Sequence, residues 1–179
     1  HLVPKDERKV GTIVITGDKG MAGAYNHNVQ KMTEDFMEEV PGHHKLYVLG
    51  MVGRQYFGKR DVDMDGGFHY TVQKPTMHRA RLITEEIVRA FLERELDEIH
   101  IVYTQMLNAQ LLPLKKADFK VGQIPADIYQ EEIVLSPSAD VLLDTMIPNY
   151  LTGVIYGCLV EAYASENSAR MTAMHSSTD

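Results

Sequence analysis

The sequence predicts an α/β fold, a mostly parallel sheet with helices on both faces, continued by a long C-terminal helix. Two observations lead to this prediction. Short apolar runs alternate with amphipathic helical patterns through the first two thirds of the chain, as in parallel sheets covered by helices. From residue 138 onward, by contrast, almost every residue is compatible with one continuous helix.

The first half of the chain supplies two strands and two helices. Residues 10–16 are β-branched and apolar, which predicts a strand buried on both faces. Apolar residues at helical spacing over 29–40, ended by a Pro-Gly pair, predict a helix. A second strand is expected at 45–50 and a short helix at 52–57, whereas 61–76 holds a Gly-Gly turn and predicts a loop with an edge strand.

The next segment predicts a helix and then a hairpin. Residues 77–96 place apolar side chains on one face with charges between them, the pattern of an amphipathic helix. Residues 98–106 predict a strand, and 109–115 a partner strand across a tight connection. The expected globular domain spans residues 1–136, and the long helix begins within 137–179.

The composition excludes several classes of protein. A chain of 179 residues with 44% hydrophobic content is expected to form one compact core. The net charge of -7 makes a nucleic acid an unexpected partner. No apolar stretch approaches the roughly 18–20 residues of a membrane span, and no charged, apolar leader is present. The single cysteine, Cys158, rules out an internal disulfide, and a start at His1 indicates a processed or truncated piece.

The long helix presents a stripe that resembles a coiled-coil seam. From Pro148 to the end it would measure about 48 Å at ~1.5 Å per residue, so it is expected to project or to find a partner. Pro148 predicts either a kink or the first turn of a new helix. Core packing within a bundle is the alternative, but nothing upstream supplies the bundle. The seam residues recur at spacings of four and three with one interruption: Ile147, Leu151, Val154, Cys158, Ala162, Ser165, Ala169, Thr172 and Ser176.

The glycine loop, residues 17–23, follows the first strand and invites comparison with phosphate-binding loops. Its lysine precedes the glycine that it should follow in a Walker motif, and the required hydroxyl is absent. It also lacks the first glycine of a dinucleotide fingerprint, and Asp18 would repel a pyrophosphate. The favoured interpretation is a tight turn, with Asn26 or Asn28 capping the next helix.

Other clusters of reactive residues favour structural roles. His43 and His44 lie in a turn without a nearby carboxylate in sequence, which favours a solvated loop over a metal site. Cys158 lies inside the helical seam, where a buried thiol is unreactive. The alternating aspartates at 61, 63 and 65 lack the glutamate that would complete a calcium loop. No metal or cofactor is therefore expected.

Two stretches are similar to one known family. Residues 14–29, VITGDKGMAGAYNHNV, resemble the loop ITSDRGLCGGLNxNV of the γ subunit of F-type ATP synthases. Residues 147–179, IPNYLTGVIYGCLVEAYASENSARMTAMHSSTD, resemble that subunit's LPRYLxxxIYxALLEAxASExxARMxAMxxATD. The second resemblance is highly specific, and it implies a fragment that lacks the family's N-terminal helix and the end of its C-terminal helix. Its matching residues are Tyr150, Leu151, Ile155, Tyr156, Glu161, Ala162, Ser165, Glu166, Ala169, Arg170, Met171, Ala173, Met174, Thr178 and Asp179.

The resemblance implies a central rotor shaft. In this family the N- and C-terminal helices form an antiparallel coiled coil inside a ring of three α and three β subunits. The α/β domain lies beside ε and the membrane c-ring. By this resemblance the chain performs no covalent chemistry, needs no cofactor and lies peripherally at the cytoplasmic face of a bacterial membrane. It would couple ion-driven rotation to conformational change at the β catalytic sites.

The resemblance also implies two contact regions. The glycine loop is expected to contact the lower lobe of β through Asp18, Lys19, Gly20, Met21 and Ala22. Beside the seam, contacts with the lower ring are expected from Glu166, Arg170 and Met171. Two alternatives stay open, a nucleotide-binding α/β domain that uses residues 17–23 and a freestanding binding module of flavodoxin-like shape.

Overall fold

A computed structural model of the chain describes residues 3–19, 24–68, 74–107, 110–113, 117–119 and 139–178. Its strands are β1 (Lys9–Ile15), β2 (His43–Leu49), β3 (Glu98–Val102), β4 (Thr104–Leu107), β5 (Gln110–Pro113) and β6 (Ala117–Phe119). Its helices are α1 (Tyr25–Glu39), α2 (Met51–Gly58), α3 (Met77–Leu92) and α4 (Ala139–Thr178). A single 3₁₀ turn at Lys5–Glu7 precedes β1.

The main sheet is parallel at its centre and antiparallel at one edge. Its strand order is β2-β1-β3-β6, with β1 parallel to both β2 and β3 and β6 antiparallel to β3. The strands β4 and β5 form a separate antiparallel pair. The predicted α/β fold with a mostly parallel sheet is confirmed.

Helices cover both faces of this sheet. Because successive strand residues point to opposite faces, Ile13 and Ile15 pack on one side with α3 and α4, whereas Val14 packs on the other. There it meets Val29 of α1 and Phe57 of α2. The near-continuous apolar sequence of β1 thus follows from burial on both faces.

Most predicted elements occur within a few residues of their expected positions. The predicted strand at 98–106 is instead broken at Tyr103 into β3 and β4, which belong to different sheets. The predicted hairpin is confirmed as β4 and β5, while β6 was not predicted. Within 61–76 the described residues show only an isolated bridge between Leu46 and Met64, and 69–73 lie outside the described residues.

The helix α4 runs through Pro148 without a new start. It begins nine residues earlier, at Ala139, so of the two alternatives predicted for Pro148, a kink or the first turn of a new helix, the new helix does not occur. A proline inside a helix removes one backbone donor. Beyond it, α4 packs against α3 and the sheet through Leu151, Ile155 and Leu159.

A buried polar cluster lies at the start of β3. Glu98 is buried and accepts a hydrogen bond from Arg8 Nη1 at 2.8 Å, while its Oε2 lies 2.9 Å from His100 Nε2. The His100 ring lies 4.7 Å from the Phe36 ring. Because a buried carboxylate needs charged or polar partners, this cluster ties the N-terminal segment to the sheet.

Candidate functional site

The described part of the glycine loop is held by the starts of α1 and α2. Gly17 N donates to Asn26 Oδ1 at 2.8 Å, and Gly17 O accepts from Val52 N at 3.1 Å. Asp18 Oδ1 accepts from Met51 N at 3.2 Å. Residues 17–19 are therefore fixed between the starts of α1 and α2, while 20–23 lie outside the described residues and the tight turn stays a prediction.

The expected capping of α1 by an asparagine is wrong. The N-cap of α1 is Ala24, which makes no side-chain capping bond. Asn26 lies inside the first turn of the helix, and its side chain reaches back to Gly17 N and to Lys19 O, at 2.8 and 3.5 Å. The amide of Asn26 thus shapes the loop instead of ending the helix.

The far end of the chain returns to the same loop through Glu166 of α4. A Cβ atom placed on Gly17 would lie 2.9 Å from Glu166 Oε1, closer than such contacts normally allow. Glu166 is only 4% exposed, and its Oε1 accepts from Arg170 Nη2 at 2.5 Å. Glycine at position 17 is what lets the carboxylate approach the backbone.

Two carboxylates, those of Asp18 and Glu166, lie close enough at this site for their charges to interact. Burial raises the pKa of Glu166 above its ordinary value, Arg170 partly offsets this rise, and the charge of Asp18 adds to it. Burial also raises the pKa of the Tyr25 hydroxyl, with a further contribution from Glu166. A phosphate here would face two carboxylates, so nucleotide binding by the glycine loop is not favoured.

The structure describes only two of the five residues that were predicted to contact the β subunit. Lys19 is exposed and Asp18 is partly exposed. The other three predicted residues, Gly20, Met21 and Ala22, lie outside the described residues. The contact itself stays a prediction.

Most of the predicted seam lies against the domain's own core. Leu151, Cys158 and Ala162 are buried in the cluster formed with α3 and the sheet, and Val154 packs against that cluster. Ser165 is also buried, while Ala169 is partly exposed. The sequence pattern predicted no partner for this face within the chain, whereas in the structure α3 and the sheet cover it over residues 151–162.

The opposite face of α4 carries a second stripe, which was not predicted from the sequence. Its large apolar members are exposed, Val160 by 38%, Met171 by 60% and Met174 by 52%. A Cβ on Gly153 or Gly157 would meet no atom within 4 Å. The detectable signal was the alternating spacing of three and four residues in Gly157, Val160, Ala164, Asn167, Met171 and Met174.

The three predicted ring-contact residues do not share one environment. Met171 is largely exposed, but Glu166 is buried and pairs with Arg170 inside the chain. Arg170 retains 31% of its side-chain exposure. Of the three, Met171 is the residue with a freely accessible side chain.

The remaining candidate clusters have structural partners. Burial raises the pKa of Cys158 to about 11, against a smaller opposing effect of its hydrogen bond with Tyr103. His44 Nε2 lies 2.6 Å from Val40 O, and Asp65 pairs with Lys45 at 3.5 Å. Within the described ranges, no group of three or more His, Cys, Asp or Glu side chains is placed to hold a metal ion.

The helices were also compared with the requirements of a bilayer. None of those in the described part of the chain combines the length and the apolar character that a crossing requires.

Known proteins similar to this chain are ATP synthase gamma chains. The family model described as ATP synthase matches residues 1–179. The ATP synthase gamma chain of Ruminiclostridium cellulolyticum is 41% identical over 183 residues, which cover 97% of this chain and 62% of that protein. The gamma chain of Caldanaerobacter subterraneus subsp. tengcongensis is 38% identical over 188 residues, covering 97% and 63%. The chain thus spans less than two thirds of the length of these relatives.

Solved structures share the fold. The central stalk and c-ring structure of the Tetrahymena thermophila mitochondrial ATP synthase contains a chain that matches with a TM-score of 0.76 at 18% identity, covering 100% of this chain and 79% of that one. A rotor structure of the Euglena gracilis mitochondrial ATP synthase matches with a TM-score of 0.60 at 16% identity, covering 96% and 67%.

Proposed function

This chain belongs to the family of ATP synthase gamma chains, and on that basis we propose that it acts in the central-stalk rotor of an F-type ATP synthase. It couples ion-driven rotation of a c-ring to conformational change at the catalytic sites of the β subunits. The chain does no covalent chemistry itself. Its partners are the α, β and ε subunits and the c-ring, at the cytoplasmic face of a bacterial membrane.

The observation that carries this proposal is the pair of opposed apolar faces on α4. One face packs into the α/β domain through Leu151, Cys158 and Ala162. The other exposes Val160 and Met171. A helix that only completed a domain core would have a polar outer face, so the second face favours a further helix as partner.

In the proposed coiled coil, the part of α4 near the domain and the part beyond it contact the partner helix through different residues. Near the domain, a partner helix lies on the exposed stripe, where Gly153 and Gly157 allow close approach. Farther out, beyond the last contacts with the core, Ala169 of the predicted seam is also accessible. The domain core fixes the base of α4, so torque applied at the base is carried along a stiff, paired helix.

The glycine loop is the proposed contact with the β subunit. Lys19 presents an exposed charge beside the partly exposed Asp18. Because the loop follows β1 and is braced by α1, α2 and α4, a force on it is delivered to the core of the domain. This is the property that a rotor contact needs.

Cross-linking in the assembled complex tests the proposal. A photoreactive side chain at position 19 is expected to label β, and one at position 160, on the exposed stripe, is expected to label a helix of the same rotor. Position 59, an exposed lysine just after α2, provides a matched control. Equal labelling of β from positions 19 and 59, or failure of the chain to enter the complex, would overturn the proposal.

A further inference from the structure

The segment that enters β1, residues 3–8, lies across the N-terminal end of the sheet, where β1, β2 and β3 begin. Its backbone is bonded to β2, because His43 N donates to Arg8 O at 2.7 Å. On the other side Asp97, just before β3, accepts from Lys9 N through its Oδ2 and donates its own N–H to Lys9 O, both at 2.8 Å. The chain is therefore held between the two strands that flank β1.

The Arg8 side chain makes two hydrogen bonds in different directions. Its Nε donates to Val3 O at 3.0 Å, and its Nη1 donates to Glu98 Oε1 at 2.8 Å. The first bond closes the segment on itself around the turn at 5–7, and the second ties it to β3. A lysine has one terminal nitrogen on a flexible stem, so it cannot reproduce this fork.

The carboxylate that accepts from Arg8 is buried and held from both sides. Glu98 is 6% exposed, and the oxygen that Arg8 leaves, Oε2, lies 2.9 Å from Nε2 of the buried His100. Removal of one partner from a buried ion pair is costly, because it leaves a charge without compensation. The carboxylate therefore keeps the guanidinium, and with it residues 3–8, in one place.

The turn before β2 fits closely against the same segment. Gly42 has a φ of +130°, which favours glycine. A Cβ there would lie 2.7 Å from Arg8 O and 3.4 Å from Lys5 O. Both neighbours are backbone atoms, which cannot rotate aside as the end of a side chain can. The segment thus lies directly against the turn.

The course of α4 shows which end of the sheet a paired helix would reach. Pro148 lines a groove with the second half of α3, and α3 ends near the N-terminal end of the sheet, where Arg94 O accepts from Lys9 Nζ at 2.9 Å. Farther along α4, Glu166 faces Gly17, just beyond the C-terminal end of β1. Because α4 therefore runs in the same direction as the strands, a helix antiparallel to it on the exposed stripe reaches the N-terminal end of the sheet.

We propose that Arg8 is a positioning residue, which clamps residues 3–8 across the N-terminal end of the sheet and so fixes the point at which a helix antiparallel to α4 joins β1. Any chain that leads into β1 passes this point, so a fixed course of residues 3–8 fixes the axial register of such a helix against the exposed stripe. The helix rests on the proposed function, whereas the clamp is a property of the described residues.

The distance between two nitroxide labels on the whole chain, measured by pulsed electron paramagnetic resonance, tests the clamp. Lys5→Cys and Lys31→Cys place the labels on the segment and on α1, both at exposed positions, and Cys158→Ala removes the one other thiol. The distance distribution is expected to be narrow in this parent and roughly twofold broader after Arg8→Lys, because lysine keeps the charge but loses the fork.

A matched control separates positioning from general damage. Arg60→Lys makes the same exchange at an exposed ion pair with Glu34, 3.6 Å apart, and is expected to leave the distribution unchanged. Near-UV circular dichroism, which reports on the packing of the core aromatic side chains, should match the parent in both variants. A distribution after Arg8→Lys as narrow as in the parent, or equal broadening by Arg60→Lys, would overturn the clamp.

Cross-linking in the assembled complex tests the consequence for helix register. The photoreactive side chain at position 160 is expected to label the partner helix within about one turn in the parent and over several turns after Arg8→Lys. The same narrow site in both, with the distance distribution broadened by Arg8→Lys, would overturn the role of the clamp in register. No labelled helix in the parent, with the clamp intact in the distance measurement, would instead count against the proposed function.

Discussion

Two alanines on α4 offer a direct test of which helix face the domain uses. Ala162 is 0% exposed and lies in the cluster with α3 and the sheet. Ala164 is two residues farther along, on the other side of the helix, and is partly exposed. Replacement of each by leucine makes the same chemical change in the same helix, and the two residue types have nearly equal helix propensity.

The expected difference follows from packing. Added carbon atoms at position 162 must displace packed neighbours, which costs about 1–3 kcal/mol. At position 164 the added side chain reaches solvent, and the free energy of unfolding should change by less than about 0.5 kcal/mol. For a chain of this size each kcal/mol shifts the melting temperature by about 2–4 °C.

Thermal and urea unfolding of the chain, followed by circular dichroism, measures this difference. A substantially lower melting temperature in Ala162→Leu, with Ala164→Leu close to the parent, is expected. Equal destabilisation by the two variants, or a larger effect of Ala164→Leu, would refute the placement of the buried face. In the assembled complex, Ala164→Leu should weaken pairing with the partner helix more than Ala162→Leu does, since position 164 belongs to the exposed stripe.

Four further predictions concern single residues. Leu151→Ala should lower the free energy of unfolding by about 2–5 kcal/mol in urea titrations, because it leaves a cavity in the core; a change below about 1 kcal/mol would contradict this. Cys158 should react with iodoacetamide at pH 8 about a hundredfold more slowly than a thiol of pKa 9.0, because burial raises its pKa to about 11; unfolding in urea should abolish the protection. Burial raises the pKa of Glu166 above its ordinary 4.5, so the folded chain binds a proton more tightly than the unfolded chain. Its contribution to stability should therefore decline as pH rises through the window beginning near 4.5, and Glu166→Gln should flatten that part of a pH series of urea midpoints. Gly50→Ala should destabilise the chain by more than about 2 kcal/mol or prevent folding, since Gly50 has a φ of +92° and its Cβ would collide with Thr16 O; unfolding like that of the parent would contradict the strain.

Local patterns were sufficient for most of the fold. The period of two in strands and of 3.6 in helices located β1, β2 and α1 to α3, because the apolar residues of each of these elements are the ones that it buries in the core. The same patterns did not reveal that Tyr103 separates two sheets or that β6 adds an edge strand. Both depend on long-range pairing, which leaves no trace in a short window of sequence.

The site was predictable only in part. That the glycine loop is unsuited to phosphate followed from Asp18 in the sequence. Asn26 was expected to cap α1, but its side chain binds Gly17 N instead. An asparagine near a helix start is compatible with both roles, so the sequence did not distinguish them. The approach of Glu166 to Gly17 was not predicted at all.

Periodicity placed β1, β2 and α1 to α3 in order and predicted a long C-terminal helix, and residues in register indicated the family. Which face of α4 is buried, by contrast, follows from packing in the folded domain. A helix with apolar residues on two opposed faces has no preferred inward direction until α3 and the sheet provide a surface for one of them. The contact of Glu166 with Gly17 likewise depends on the tertiary structure, because residues far apart in the chain meet only in the folded domain.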